Sequence, residues 1–148
     1  MSKIIKEFFK AETIDALPTG KIEEALDLVN DIYLEVMAKN HDVDYDNLSM
    51  EDIKIQLHKK ILENFKPTLM TFNKSELKSF NEFYQGIVDY SDEMVYVNLK
   101  KFLSLGFIFL FLSKSGGYFN FVVPDPLIQM FEELLQTSWY FLYFILIY

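Results

Sequence analysis

Residues 94–131 read MVYVNLKKFLSLGFIFLFLSKSGGYFNFVVPDPLIQMF, and their punctuation decides the fold. Val95, Leu99, Phe102 and Leu103 recur at three- and four-residue spacing, which predicts a helix with one buried stripe. Gly106 stands where the end of such a helix calls for a left-handed residue. Residues 107–112 are six consecutive apolar side chains, too short for a helix of their own and bounded by turn residues. Residues 113–117 (SKSGG) supply hairpin-loop chemistry, and 118–123 return as a second strand that Pro124 ends. Asp125 then reads as the cap of a further helix, with Pro126 at its first position.

Working back from this stretch, the remaining segments read as helices joined by loops, among them 40–47 (NHDVDYDN). Ser91 or Asp92 opens the helix just described. Asn73 with Glu76 three residues on has the form of a capping box, and Leu77, Phe80, Phe83 and Tyr84 predict a short helix stopped near Gly86. Ser49 with Asp52 repeats the signal, and Met50, Ile53, Leu57, Ile61 and Phe65 form the stripe of a long helix that Pro67 is expected to kink or end. Residues 21–39 give the clearest periodicity, with Ile22, Ala25, Leu26, Val29, Ile32, Tyr33, Val36 and Met37 on one side. Glu24, Asp27, Asp31 and Glu35 occupy the other side, the wet face of an amphipathic helix. Residues 2–16 are amphipathic as well, before Pro18 and Gly20 interrupt.

The expected architecture is mainly α with one β-hairpin. Residues 1–137 make a single compact domain with a helical part (1–72) and a second part (73–137) carrying the hairpin. Residues 138–148 form an apolar aromatic tail, and 139–148 read WYFLYFILIY. That run is shorter than the roughly 20 apolar residues a membrane span needs. It reads as an element buried against the core or a second subunit, with a truncated or out-of-frame end as the alternative.

Composition narrows the function. Apolar residues make up 51% of the 148 residues, which excludes a disordered chain. Net charge is −8, and all 14 basic residues are Lys. Bidentate reading of guanine or phosphate is mainly an Arg task, and an acidic chain is repelled by a polyanion. The absence of Cys removes disulfide scaffolds, thiolate zinc sites and thiol nucleophiles. The start, MSKIIKEFFKAETID, has charges every few residues and no apolar core of a signal peptide, so a cytoplasmic location is expected.

Catalytic motifs are missing. The five glycines form neither of the phosphate-cradling patterns, and no Gly-x-Ser-x-Gly elbow is present. Asp42, Asp44 and Asp46 match the first three ligand positions of a calcium loop. Its sixth position is Asn47, where the turn needs Gly, and its twelfth is Ile53, where a bidentate Glu is needed. His41-Asp42 has the form of a metal-phosphohydrolase dipeptide, but only His58 could join it, and His58 lies beside lysines on the long helix. The acidic loop therefore reads as solvated. No cofactor, metal or catalytic residue is expected.

The words LKKFLSLGFI and GGYFNFVVP resemble the second half of a winged-helix module, in which a recognition helix ends in Gly and an apolar pair before the wing. The resemblance covers about 73–131 and makes the C-terminal half winged-helix-like. It implies a contact face on the helix and wing loop: Val97, Lys100, Lys101, Ser104 and Lys114, with Glu93 beside them. Such modules bind DNA or other proteins, and fold alone does not choose. Two lysines against one Glu, plus Lys114, make a thin footprint for a duplex. The expected function is a non-catalytic protein-interaction or scaffolding module, with a protein partner or self-association through the tail. A winged-helix DNA-binding regulator is the alternative, and a metal-dependent hydrolase built on the acidic loop the third reading.

Overall fold

The computed structural model describes residues 20–112, 119–139 and 141. The described residues form six helices and one antiparallel hairpin, the mainly α architecture with a hairpin that the periodicities predict. The amphipathic N-terminal stretch, Lys114 with its wing loop, and nearly all of the aromatic tail lie outside them.

The expected helix over 21–39 is two helices, α1 (Ile22–Leu28) and α2 (Asp31–Asn40). Val29 is extended, and the Asn30 side chain caps α2 by accepting from the Ile32 amide at 2.9 Å. The break shifts the phase of the buried stripe. Ile22, Ala25, Leu26 and Val29 face the core before it, and Tyr33, Leu34, Met37 and Ala38 after it, while Ile32 is left outside.

Helix α3 (Met50–Leu69) is capped by Ser49, which accepts from the Asp52 amide at 3.1 Å. Ile53, Leu57, Ile61, Phe65 and Leu69 are its buried stripe. Pro67 does not end it at once; it sits in the last turn, and the helix continues to Leu69. The long apolar stripe of α3 packs on α1, α2 and α6 and is the floor of the fold.

Helix α4 (Lys74–Gln85) opens with the expected capping box: Asn73 accepts from the Glu76 amide and Glu76 from the Asn73 amide, each at 2.9 Å. Helix α5 (Glu93–Leu105) is capped by Asp92 and packs on α4 and α2. Both helices end in a left-handed glycine, Gly86 (φ 75°) and Gly106 (φ 71°). At Gly106 a side chain would also meet Ile61, whose Cδ1 lies 2.7 Å from the position of a Cβ.

The hairpin pairs β1 (Phe109–Leu112) with β2 (Phe119–Val122), Phe109 opposite Val122 and Phe111 opposite Asn120. It starts later than the six-residue apolar run suggests. The Phe107 amide is already bonded to Phe102 O at 3.0 Å, closing the end of α5. Phe107 and Ile108 are fully buried nonetheless, so the whole run serves the core.

Helix α6 (Asp125–Thr137) differs from expectation at its start. Pro124 is the cap, no side chain caps the helix, and Asp125 is its first residue. The Asp125 amide donates instead to Gly20 O at 2.8 Å, joining the start of α6 to the segment before α1. Around the α3 floor the core is built largely from phenylalanine. Phe65 meets Phe80 and, edge-on at 4.9 Å, Phe107; Phe80 meets Phe102 edge-on and Phe131 at 5.1 Å. Such pairs add about 0.5–1.5 kcal/mol each to what burial alone contributes. Phe141, the described residue nearest the aromatic end, is buried edge-on against Phe131.

Candidate functional site

The face predicted for partner contact lies on α5, whose orientation is fixed from beneath. Val95, Leu99, Phe102 and Leu103 are buried, and so is one polar side chain, Asn98. Asn98 Nδ2 donates toward Ser79 Oγ at 2.8 Å, Ser75 O at 3.1 Å and Ser75 Oγ at 3.2 Å. A buried amide left unpaired costs more than the bond gains, so this cluster fixes the rotation of α5 against α4.

With that rotation set, Val97, Lys100 and Lys101 are exposed, and Ser104 is half-buried. The structure thus gathers four of the five predicted residues on one helix; the fifth, Lys114, lies outside the described residues. Their chemistry differs from a row of free cations. Lys101 Nζ is ion-paired and hydrogen-bonded to Glu76 and lies 4.9 Å from the centre of the Phe72 ring. Glu76 is itself mostly buried and also closes the capping box of α4. The Ser104 hydroxyl donates to Lys100 O at 2.7 Å within its own helix. Of the two lysines on α5, Lys100 is the one whose charge has no ion-pair partner among the described residues.

Met94 belongs to this face and was missed because it lies toward α4, off the stripe drawn from Val97. It is 46% exposed and Val97 59%. Ile87 and Tyr90, in the turn before α5, are exposed as well, and Tyr90 stacks on Phe121 of β2 with ring centres 6.1 Å apart. Partial burial pushes the Tyr90 phenol above its ordinary value, with the nearby Tyr96 adding to the effect. Beside Met94, an open groove of about 260 Å³ runs between α4 and the start of α5, lined by Lys74, Lys78, Glu82 and Asp92 among others. The capping box in the sequence places Glu76 in the first turn of α4; its position beside Lys101 depends on the rotation of α4 against α5.

The acidic loop is a helix ending. His41 closes α2, Asp42 adopts φ 56°, and the Val43 amide donates to Ala38 O at 2.8 Å, the left-handed turn usually made with glycine. Val43 and His41 are buried while Asp42 is exposed, so the His-Asp dipeptide does not converge on one point. Asp44 accepts two hydrogen bonds from Asn47 Nδ2, at 2.9 and 3.1 Å. His58 lies within 3.5 Å of Glu23. No group of three or more metal-ligating side chains occurs among the described residues. The acidic stripe is divided by the α1–α2 break; Asp27 pairs with Lys54 at 3.1 Å, and Glu35 with Lys39 at 3.9 Å.

His41 is the functional-looking residue that became structural. Its Nε2 lies 2.7 Å from Leu105 O, and its Nδ1 2.9 Å from Asn64 Nδ2. A carbonyl only accepts, so Nε2 carries the proton and bare Nδ1 accepts from Asn64. Burial lowers its pKa from 6.5; the Leu105 bond and Asp42 oppose the shift, and Lys60 reinforces it.

No protein-family model matches the chain, and neither the curated proteins nor the solved structures contain a match. No helix among the described residues is long and apolar enough to cross a membrane.

Proposed function

We propose that the chain is a non-catalytic protein-interaction or scaffolding module whose contact surface is the outer face of α5, working in the cytoplasm. One observation carries this reading. On the face that a winged helix would turn toward a duplex, the exposed side chains include the apolar Met94 and Val97, while the charge of Lys101 is cancelled by Glu76. Asp92 and Glu93 lie at the end of α5 that would enter a groove, where they would oppose phosphate. Non-specific duplex affinity comes from neutralising several phosphates at once, and the described part of this face offers Lys100. Exposed apolar side chains bordered by charge suit a protein surface instead.

The order α4, α5, hairpin supports the winged-helix likeness and keeps a DNA-binding regulator as the competing reading. The deciding test is fluorescence anisotropy of a labelled random-sequence duplex titrated with the full chain at low salt. No binding is expected. Salt-dependent binding that Lys100→Glu abolishes would overturn the proposal.

A further inference from the structure

The charges on α5 are arranged about Val97 in a self-complementary way. Glu93 lies four residues before Val97 and Lys100 three after it, both exposed on the Val97 side of the helix. Along the helix axis these offsets are about 6 Å and about 4.5 Å. A second α5 laid antiparallel across a two-fold axis at Val97 therefore brings each Glu93 level with the other copy's Lys100, within about 1.5 Å along the axis. Neither side chain pairs with another among the described residues, so both charges are available to a partner. The same operation puts Val97 against its own copy and each Met94 near the aliphatic stem of the opposing Lys101, which Glu76 holds in place. Two-fold pairing requires a patch that complements itself, and a helix with acid before and base after an apolar centre meets that requirement.

Resting on the protein-interaction reading, we infer that the occupant of this face is a second copy of the chain, docked α5 against α5 in antiparallel fashion. The apolar centre is small, one Val and one Met from each copy, so the pair is weak and forms with rising concentration rather than as an obligate dimer. The charges choose the partner and the direction. A parallel arrangement would set Glu93 beside Glu93 and Lys100 beside Lys100, which is disfavoured.

Sedimentation velocity of the full chain over a wide concentration range tests this, with Glu93→Lys and Lys100→Glu as variants. Both positions are exposed, and circular dichroism and the melting temperature of each variant establish that it is folded. The wild type is expected to associate, and each reversal alone to weaken association by about tenfold or more, because the two-fold axis doubles every change. In an equimolar mixture of the two variants, the lysine introduced at position 93 of one copy faces the glutamate introduced at position 100 of the other. The unaltered Glu93 and Lys100 face each other at the second contact, so association should recover to within about threefold of wild type. A wild type that stays monomeric at every concentration, or association indifferent to both reversals and to their mixture, would overturn the second-copy inference while leaving the protein-interaction reading standing. Duplex binding that Lys100→Glu abolishes would overturn both.

Discussion

His41 donates through Nε2 to the carbonyl of Leu105, 64 residues away, at 2.7 Å. Beside it Asn40 Nδ2 donates to Ser104 O at 2.9 Å. Helix α5 thereby has its last four carbonyls satisfied: Phe102 and Leu103 by the amides of Phe107 and Gly106, and Ser104 and Leu105 by side chains at the end of α2. Two helix ends are tied together, and Asn64 of α3 completes the knot through His41 Nδ1.

Burial of His41 favours its neutral form, against the pull of the Leu105 bond, and makes stability depend on pH. Its folded-state pKa is depressed below 6.5, so in the window beneath 6.5 the unfolded chain binds more protons than the folded one. The contribution is complete above that value and is lost as pH falls through the window toward the folded-state pKa. Thermal melts at a series of pH values should show a fall in stability beginning near pH 6.5. In His41→Phe that component should vanish, and stability at neutral pH should drop by roughly 1–3 kcal/mol as Leu105 O and Asn64 lose their partner.

Asp42→Gly should stabilise the protein. Asp42 occupies a left-handed conformation that costs a side-chain-bearing residue energy, and its carboxylate sits at the negative end of α2. Relief of both should outweigh the flexibility glycine adds to the unfolded chain, for a net gain of about 0.5 kcal/mol. The gain would appear as a higher denaturation midpoint with an unchanged slope in urea. If the loop instead held a metal for hydrolysis, divalent ions would raise the melting temperature of the wild type, and this substitution would remove the effect.

Gly106→Ala should be among the more damaging single changes. The new methyl would meet Ile61 in the core, and the backbone at φ 71° suits glycine alone. A loss of about 2 kcal/mol or more is expected in equilibrium urea unfolding. Gly86→Ala shares the conformation but nothing lies within 4 Å of its Cβ position, so it should cost clearly less. The difference between the two isolates the packing contribution.

Glu76→Gln should separate two roles of one side chain. The amide oxygen can still accept from the Asn73 amide, so α4 keeps its cap, while Lys101 loses its counter-charge. Stability should change little, by about 1 kcal/mol or less, because Lys101 is half exposed. Glu76→Ala should cost more, by about a further 1 kcal/mol, since the carboxylate's half of the capping box goes too while Asn73 still caps the residue-76 amide. Urea denaturation of the two variants against Asn73→Ala checks the assignment.

Much of this was legible where local chemistry is unambiguous. Asn73 and Glu76 announced a capping box, Gly86 and Gly106 the helix ends, and the α3 stripe its buried face. The break between Val29 and Asn30 was hidden because Ile32 and Val36 prolong the α1 periodicity on paper, although the chain buries Leu34 and Ala38 instead. A capping Asn inside an apolar pattern looks like any exposed polar residue until the phase slip beyond it is noticed. His41 was hidden for a different reason: its partners lie in α3 and α5, and pairing across 64 residues leaves no mark on sequence spacing. On α5 the outward residues could be named, but the pairing of Lys101 with Glu76 could not, since it depends on how α4 and α5 are rotated by Asn98.

The chain's single tryptophan, Trp139, is 86% exposed, while the buried aromatic side chains are phenylalanines and Tyr33. Optically the molecule is therefore lit at one end. Indole emission excited in Trp139 reports the surroundings just past the last turn of α6 and is nearly blind to the packing of Phe65, Phe80, Phe102 and Phe107. A ligand or second subunit settling near residue 139 would shift that emission. Docking at residue 139 can thus be followed in one cuvette, without a label.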